Sequence, residues 1–243
     1  MKRYFVDKKN IDEKNNLLII DGEEFNHAKN VMRQDIGDEI ICFTGDGFEY
    51  FCQINKNENH SFVCIIKSKQ KSLQTPLEDV TLFQGTLKSD NFELIIQKTA
   101  ELGISTIVPF ESRYSVAKIK DEKIKRYQKI SQSASKQCGR ADFLKVEDRH
   151  SFKQMLNKLK EFEVVIFAYE KAESKNLKTL NFNDFKGKKT ALVVGSEGGF
   201  SKEEADLLIQ NNAICVGLGT RILRAETAAI TLASIVMFLL DEI

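Results

Sequence analysis

Gly195-Ser-Glu-Gly-Gly-Phe-Ser201 and Gly217-Leu-Gly-Thr-Arg-Ile-Leu-Arg-Ala-Glu-Thr-Ala228 each follow a short apolar run and each lead into a helical pattern. Thr190-Ala-Leu-Val-Val194 precedes the first and Ala213-Ile-Cys-Val216 the second. Short, β-branched apolar runs bounded by glycine read as buried strands of a parallel sheet. The chain therefore reads strand, loop, helix twice in succession, the pattern of an α/β fold with helices on both sheet faces. Ser201 and Glu204 have the S-x-x-E spacing of a capping box, so the glycines sit just before a helix N-terminus. Two such loops leaving one sheet edge can form a pocket, where open α/β sheets bind ligands.

Upstream the same alternation continues. Strands are expected at 80–83, 106–109, 164–168, 191–194 and 214–216, and helices at 91–102, 121–138, 152–159, 202–210 and from Ala225 onward. Residues 1 to about 70 read differently, as short β segments at 17–20, 39–43, 50–54 and 62–66 with turns at Gly37-Asp38 and Thr44-Gly-Asp-Gly47. A small β-barrel is the expected product. The polar Lys67-Ser-Lys-Gln-Lys-Ser-Leu-Gln-Thr-Pro76 is the best linker candidate, dividing the chain into 1–70 and 71–243.

The 42% hydrophobic and 29% charged fractions describe a folded chain and exclude disorder. Met1-Lys-Arg-Tyr-Phe-Val-Asp7 has no apolar core of a secretion signal, and the apolar run 227–240 is shorter than a membrane span, so a cytoplasmic location without a membrane partner is expected. Five cysteines form no C-x-x-C pair and read as small core residues. His27, His60 and His150 are scattered, and no metal is implied. The net charge of +1 hides an asymmetry: residues 112–160 carry 14 Lys and Arg against 5 Asp and Glu. Lys118, Lys120, Lys123, Lys125, Arg126, Lys129, Lys136 and Arg140 concentrate there. Such a block is either a solvated helix face or the footprint of a polyanion.

Neither loop has the G-x-x-x-x-G-K-[ST] phosphate cradle, and no G-x-G-x-x-G joins the first strand and helix of the α/β part. Nucleoside triphosphates and NAD lose weight. Glycines still let backbone groups approach a ligand closely, although each loop read alone is equally a tight turn. Arg221, Arg224 and Glu226, set between a strand and an apolar helix, favour the ligand.

At these residues the chain resembles the bacterial 16S rRNA (uracil-N3)-methyltransferase family, RsmE type, of the SPOUT superfamily. Signatures close to G-P-E-G-G-[FL]-[ST] and L-G-x-R-[IV]-L-R-T-E-T-A stand here as residues 195–201 and 218–228. Gln97-Lys-Thr-Ala-Glu-Leu-Gly103, Gln137-Cys-Gly-Arg140 and His27-Ala-Lys-Asn-Val-Met-Arg33 also look like family segments. Ser196 stands for the usual proline, Ala225 for threonine, and Lys136 where glutamate is common.

The resemblance implies a deep trefoil knot with an N-terminal PUA-like RNA-binding barrel, a homodimer, and 16S rRNA of the small ribosomal subunit as partner. It also implies S-adenosyl-L-methionine as cofactor. Val194, Gly195, Glu197, Gly198, Gly217, Leu218, Gly219, Arg221, Ile222 and Leu223 are its candidate binding residues. Methylating uracil N3 requires alignment with the methyl group and loss of a proton. Arg224 is the candidate for steadying the uracil anion or a nearby phosphate and Glu226 the weaker candidate for accepting the proton, the alternative being a structural Arg224–Glu226 ion pair. Arg113, Lys136, Gln137, Arg140, Lys88 and Lys98 are candidate RNA contacts. Methylation at another RNA position, such as a ribose 2′-hydroxyl, and a non-catalytic rRNA-binding factor remain open alternatives.

Overall fold

The computed structural model describes residues 1–116, 122–171, 177 and 180–243. Its contacts gather into two compact units, one of Met1–Thr75 with Ser135–Phe143, the other of Pro76–Ala134 with Leu144–Ile243.

The first unit holds β1 (Lys2–Phe5), β2 (Ile11–Asp12), β3 (Leu17–Ile20), the short helix α1 (Gly22–Asn26), β4 (Glu39–Phe43), β5 (Phe48–Glu58) and β6 (Ser61–Lys71). They form one six-stranded sheet in the order β1-β4-β5-β6-β3-β2, in which only β1 and β4 run parallel. The link between β5 and β6 is Asn59-His60, with φ of +51° and +57°, the left-handed pair that a tight hairpin turn requires. This hairpin corrects the linker expectation for residues 67–71. Residues 67–71 are strand, with 68–71 paired opposite 48–51 and Lys67 at a register shift. Their polar side chains sit on the exposed face, where Lys69 bonds Glu13 at 2.7 Å and lies over the Tyr50 ring. Backbone pairing, not side-chain polarity, decides the conformation there. Alternate residues of the strands supply the core, including Tyr4, Leu18, Ile20, Ile40, Phe62 and the thiols of Cys42, Cys52 and Cys64. Phe143 stacks its ring 5.2 Å from Phe5, and Gly47 N–H donates to the Ala141 carbonyl, which ties the distant segment 135–143 into the unit.

The second unit alternates strand and helix: β7 (Val80–Gly85), α2 (Ser89–Glu101), β8 (Thr106–Glu111), α3 (Glu122–Cys138, whose last turn lies in the first unit), β9 (Lys145–Val146), β10 (His150–Ser151), α4 (Phe152–Leu159), β11 (Val164–Ala168), β12 (Thr190–Val194), α5 (Lys202–Gln210), β13 (Ile214–Val216) and α6 (Ala225–Leu239). Asp121, the expected first residue of α3, lies outside the described residues, as do Lys118 and Lys120. The strands form a parallel sheet, β10-β8-β7-β12-β11-β13, with β9 pairing beside β8. β7 and β12 are buried along their whole length, the apolar run of β12 as expected for a strand covered on both faces and β7 with its polar Thr81 and Gln84 included. The two-residue period of a strand divides their side chains between two cores. Leu82, Ile166 and Leu192 face α2, α3 and α6, while Phe83, Phe167 and Val193 face α4 and α5. The short β9 and β10 carry no sequence signal; each is a two-residue extension on the β8 edge.

Candidate functional site

β12, β11 and β13 are adjacent and parallel, so Val194, Ala168 and Val216 end at one edge of the sheet. The three segments that leave this edge enclose a cavity of about 990 Å³. Ala168, Tyr169 and Glu170 come from the end of β11, residues 194–200 from the end of β12, and residues 218–226 with Ala228 from the loop after β13 and the start of α6. Lys88, Asn91 and Val116 complete the lining.

The β12 loop is shaped by contact with its neighbours. Gln84, fully buried at the end of β7, donates from Nε2 to the carbonyls of Gly85 and Gly195, both at 3.0 Å. Beside it the backbones touch: a Cβ added to Gly85 would lie 2.4 Å from the Ser196 nitrogen. Gly199 N–H donates to the Ser196 carbonyl at 2.9 Å, closing a turn in which Gly199 has φ +67°, a conformation costly for any side-chain-bearing residue. Glu197 is exposed and accepts from the Lys88 N–H at 3.3 Å, linking the loop to the start of α2. α5 then begins with the capping box expected from Ser201 and Glu204.

The β13 loop leads directly into α6, whose first residue is Ala225 and whose N-cap is Arg224. Arg221 and Arg224 are exposed and Glu226 is 9% exposed. No hydrogen bond or ion pair engages the side chains of Arg224 or Glu226 among the described residues, so the structural Arg224–Glu226 pair does not form. The helix start adds N–H groups that lack intrahelical acceptors, and with them the positive end of the helix dipole.

Of the sequence-selected residues, Val194, Gly195, Glu197, Gly198, Leu218, Gly219, Arg221, Ile222, Leu223, Arg224 and Glu226 line the cavity together. Gly217 lies at the end of β13, outside the lining. Lys88, selected for RNA, stands at the cavity. Lys98 pairs with Glu101 at 2.9 Å on α2, and the Arg113 guanidinium pairs with Glu203 at 3.1 Å. In the first unit Gln137 is exposed, Lys136 is bonded to Glu24 and lies over the Phe5 ring, and Arg140 is 3% exposed with its guanidinium bonded to both carboxylate oxygens of Asp142. Arg140 thus braces the segment 140–142 rather than standing at the surface.

Sequence reading missed Ala168, Tyr169 and Glu170. The strand 164–168 was legible, but that it ends beside β12 and β13 follows only from strand order. Tyr169 N–H donates to the Val216 carbonyl at 3.0 Å, joining this segment to the β13 loop. Burial and the neighbouring Glu170 carboxylate push the Tyr169 phenol above its usual range.

A family model for an RNA methyltransferase domain matches residues 73–237, and one for an RNA methyltransferase PUA domain matches residues 20–67. The ribosomal RNA small subunit methyltransferase E of Bacillus subtilis (strain 168) is 36% identical over 250 residues, covering 98% of this chain and 96% of that protein. The chain belongs to the ribosomal RNA small subunit methyltransferase E family. The enzyme of the same name from Mesomycoplasma hyopneumoniae (strain 232) is 30% identical, covering 96% of this chain and 97% of that protein. Among solved structures, the putative methyltransferase Lpg2936 of Legionella pneumophila, described in complex with bound S-adenosylmethionine, superposes with a TM-score of 0.81 at 28% identity, covering 97% and 96% of the two chains. The Neisseria gonorrhoeae methyltransferase E shares the fold at a TM-score of 0.84 and 24% identity, covering 98% of each chain.

Proposed function

We propose that this protein transfers a methyl group from S-adenosyl-L-methionine to N3 of one uridine in the 16S rRNA of the small ribosomal subunit, in the cytoplasm. The observation that carries the reading is the cavity formed where three parallel strands end together, in a chain of this family. Its volume and lining suit the cofactor: glycine backbone for an adenine edge, and carboxylates and guanidinium groups for the ends of a zwitterion. Val194, Gly195, Glu197, Gly198, Leu218, Gly219, Arg221, Ile222 and Leu223 would hold it, with Gly217 supporting the third loop.

When bound, S-adenosyl-L-methionine supplies the electrophilic methyl group. The protein's own part is to orient the uracil, keep water out, and stabilise the anion left when N3 loses its proton. Arg224, without a partner among the described residues at the N-terminus of α6, offers its guanidinium to that anion, and Glu226 offers a carboxylate as proton acceptor. The base must leave its stack to reach the cavity. Arg113, Lys88, Lys98, Lys136 and Gln137 are proposed to position the RNA through its phosphates, and Arg140 to brace residues 140–142 just after Gln137. The first unit is read as a PUA-like barrel that grips RNA, which its match to the PUA family model supports.

The second unit is read as a trefoil knot, a reading that the match to the RNA methyltransferase family model and the membership of the methyltransferase E family support. A homodimer is proposed from the family resemblance.

The test is to incubate the purified protein with S-adenosyl-L-methionine and small subunits lacking the modification, digest the rRNA, and identify the nucleosides by mass spectrometry. New 3-methyluridine is expected. A ribose-methylated product would overturn the assigned position, and absence of both product and cofactor binding would overturn the enzyme.

A further inference from the structure

Both carboxylate oxygens of Glu204 are engaged, and in different parts of the chain. As the third residue of α5 it closes the capping box, Oε2 accepting the Ser201 N–H at 2.9 Å while Ser201 Oγ accepts the Glu204 N–H at 3.2 Å. Oε1 accepts the backbone N–H of Arg113 at 2.7 Å, across 91 residues of sequence. The residue is 7% exposed, so neither bond has easy competition from water. A capping box needs one acceptor here and takes glutamate or glutamine alike. The second bond needs a second acceptor oxygen, which a carboxylate has and an amide lacks.

We propose that Glu204 is a positioning residue that pins residues 112–116, the segment after β8, against the loop after β12, so that one wall of the cavity is set by the side chain that also starts α5. The inference rests on reading the cavity as the cofactor site. The pinned segment follows that loop closely. Ser112 Oγ lies 3.4 Å from Ser196 Oγ, and a Cβ on Gly198 would lie 2.5 Å from the Cβ of Tyr114. Val116, at the end of the segment, lines the cavity. The Arg113–Glu203 pair is largely exposed on both sides and contributes little, which leaves the bond to Glu204 as the main polar anchor of the Arg113 backbone. Family membership and the capping motif alone would make Glu204 a helix cap and nothing more.

The test uses the full chain with Glu204→Gln, which keeps shape and capping chemistry, beside Ser201→Ala, which removes the capping hydroxyl and leaves the carboxylate. Hydrogen exchange of the Arg113 amide reads the pin directly. Titration with S-adenosyl-L-methionine reads its effect on the cavity. Glu204→Gln should speed Arg113 exchange by about tenfold or more, the usual consequence of losing a charge-assisted bond, and weaken cofactor binding by about tenfold. Ser201→Ala should leave Arg113 exchange near wild type. Unchanged Arg113 exchange in Glu204→Gln would overturn the pin, as would an equal effect of Ser201→Ala, which would make Glu204 only a cap. Faster exchange with unchanged cofactor affinity would overturn the link to the cavity. A wild-type chain that binds no cofactor would sink the enzymatic reading, while the exchange data would still decide the pin.

Discussion

Replacing Gln84 by glutamate changes one group in the middle of the fold and leaves its shape intact. Gln84 is fully buried and donates from Nε2 to two carbonyl oxygens, those of Gly85 and Gly195. A carboxylate there would face two acceptors with no donor, so the introduced group must bind a proton to stay folded. Its folded pKa then lies above the unfolded value of about 4.3, by as much as 3 to 5 units for a fully buried carboxyl. At pH 7, holding the group protonated costs about 1.36 kcal/mol for each of 2.7 units, or about 3.7 kcal/mol. A neutral carboxyl restores one of the two donated bonds, and the missing one adds about 1 kcal/mol.

The sign follows from proton binding in the folded state. The penalty is smallest below about pH 4.3, where both states are protonated, and it grows with pH until the folded pKa is reached. Urea unfolding of wild type and Gln84→Glu at pH 5 and pH 7 should therefore give losses of about 2 and about 4.7 kcal/mol. Equal losses at the two pH values would refute the reasoning, because they would mean that the introduced carboxyl reaches water and that Gln84 does not clamp the β12 loop.

Three further expectations can be checked directly. Arg224→Ala should lower turnover by about 100-fold while cofactor affinity stays within about twofold, since an anion-stabilising group acts mainly in the transition state; single-turnover rates and calorimetric titration separate the two, and an unchanged rate would remove Arg224 from the mechanism. Gly199→Ala should cost about 1 to 2 kcal/mol for its left-handed backbone and weaken cofactor binding, because the added Cβ would lie 3.3 Å from the Glu170 carboxylate; urea unfolding and titration measure both. In the native protein at pH 8, a thiol reagent should modify Cys138 and Cys215, which are half-buried, well before Cys42, Cys52 and Cys64 in the first core. Burial pushes the Cys64 thiol up to about 12 and the Cys42 thiol well up, which keeps both protonated there; rapid labelling of either in peptide maps would contradict that packing.

Much of the second unit was legible because its signals are local. The run 190–194 is apolar because both faces of its strand are covered, and Ser201 with Glu204 announces a helix start whatever the surroundings. The strand at 164–168 and the helices at 152–159 and 202–210 have the expected bounds. Local signals failed where partners are distant. Lys67-Ser-Lys-Gln-Lys71 has the polarity of a linker, yet residues 68–71 pair with 48–51 across a hairpin. Arg140 belongs to a basic block in sequence, but Asp142 and the fold around it hold its charge inside.

The sequence alone determined the longer strands and helices of the second unit and its two glycine loops, because hydrophobic period, capping pairs and glycine placement act over a few residues. It also carried the motifs that mark the family. The tertiary structure decided that β11 lies between β12 and β13, and so that Tyr169 and Glu170 join the two glycine loops around one cavity. It decided equally that Glu204 serves Arg113 as well as Ser201. Strand order and long-range hydrogen bonds depend on which distant surfaces bury one another, and that choice belongs to the whole chain rather than to any window of it.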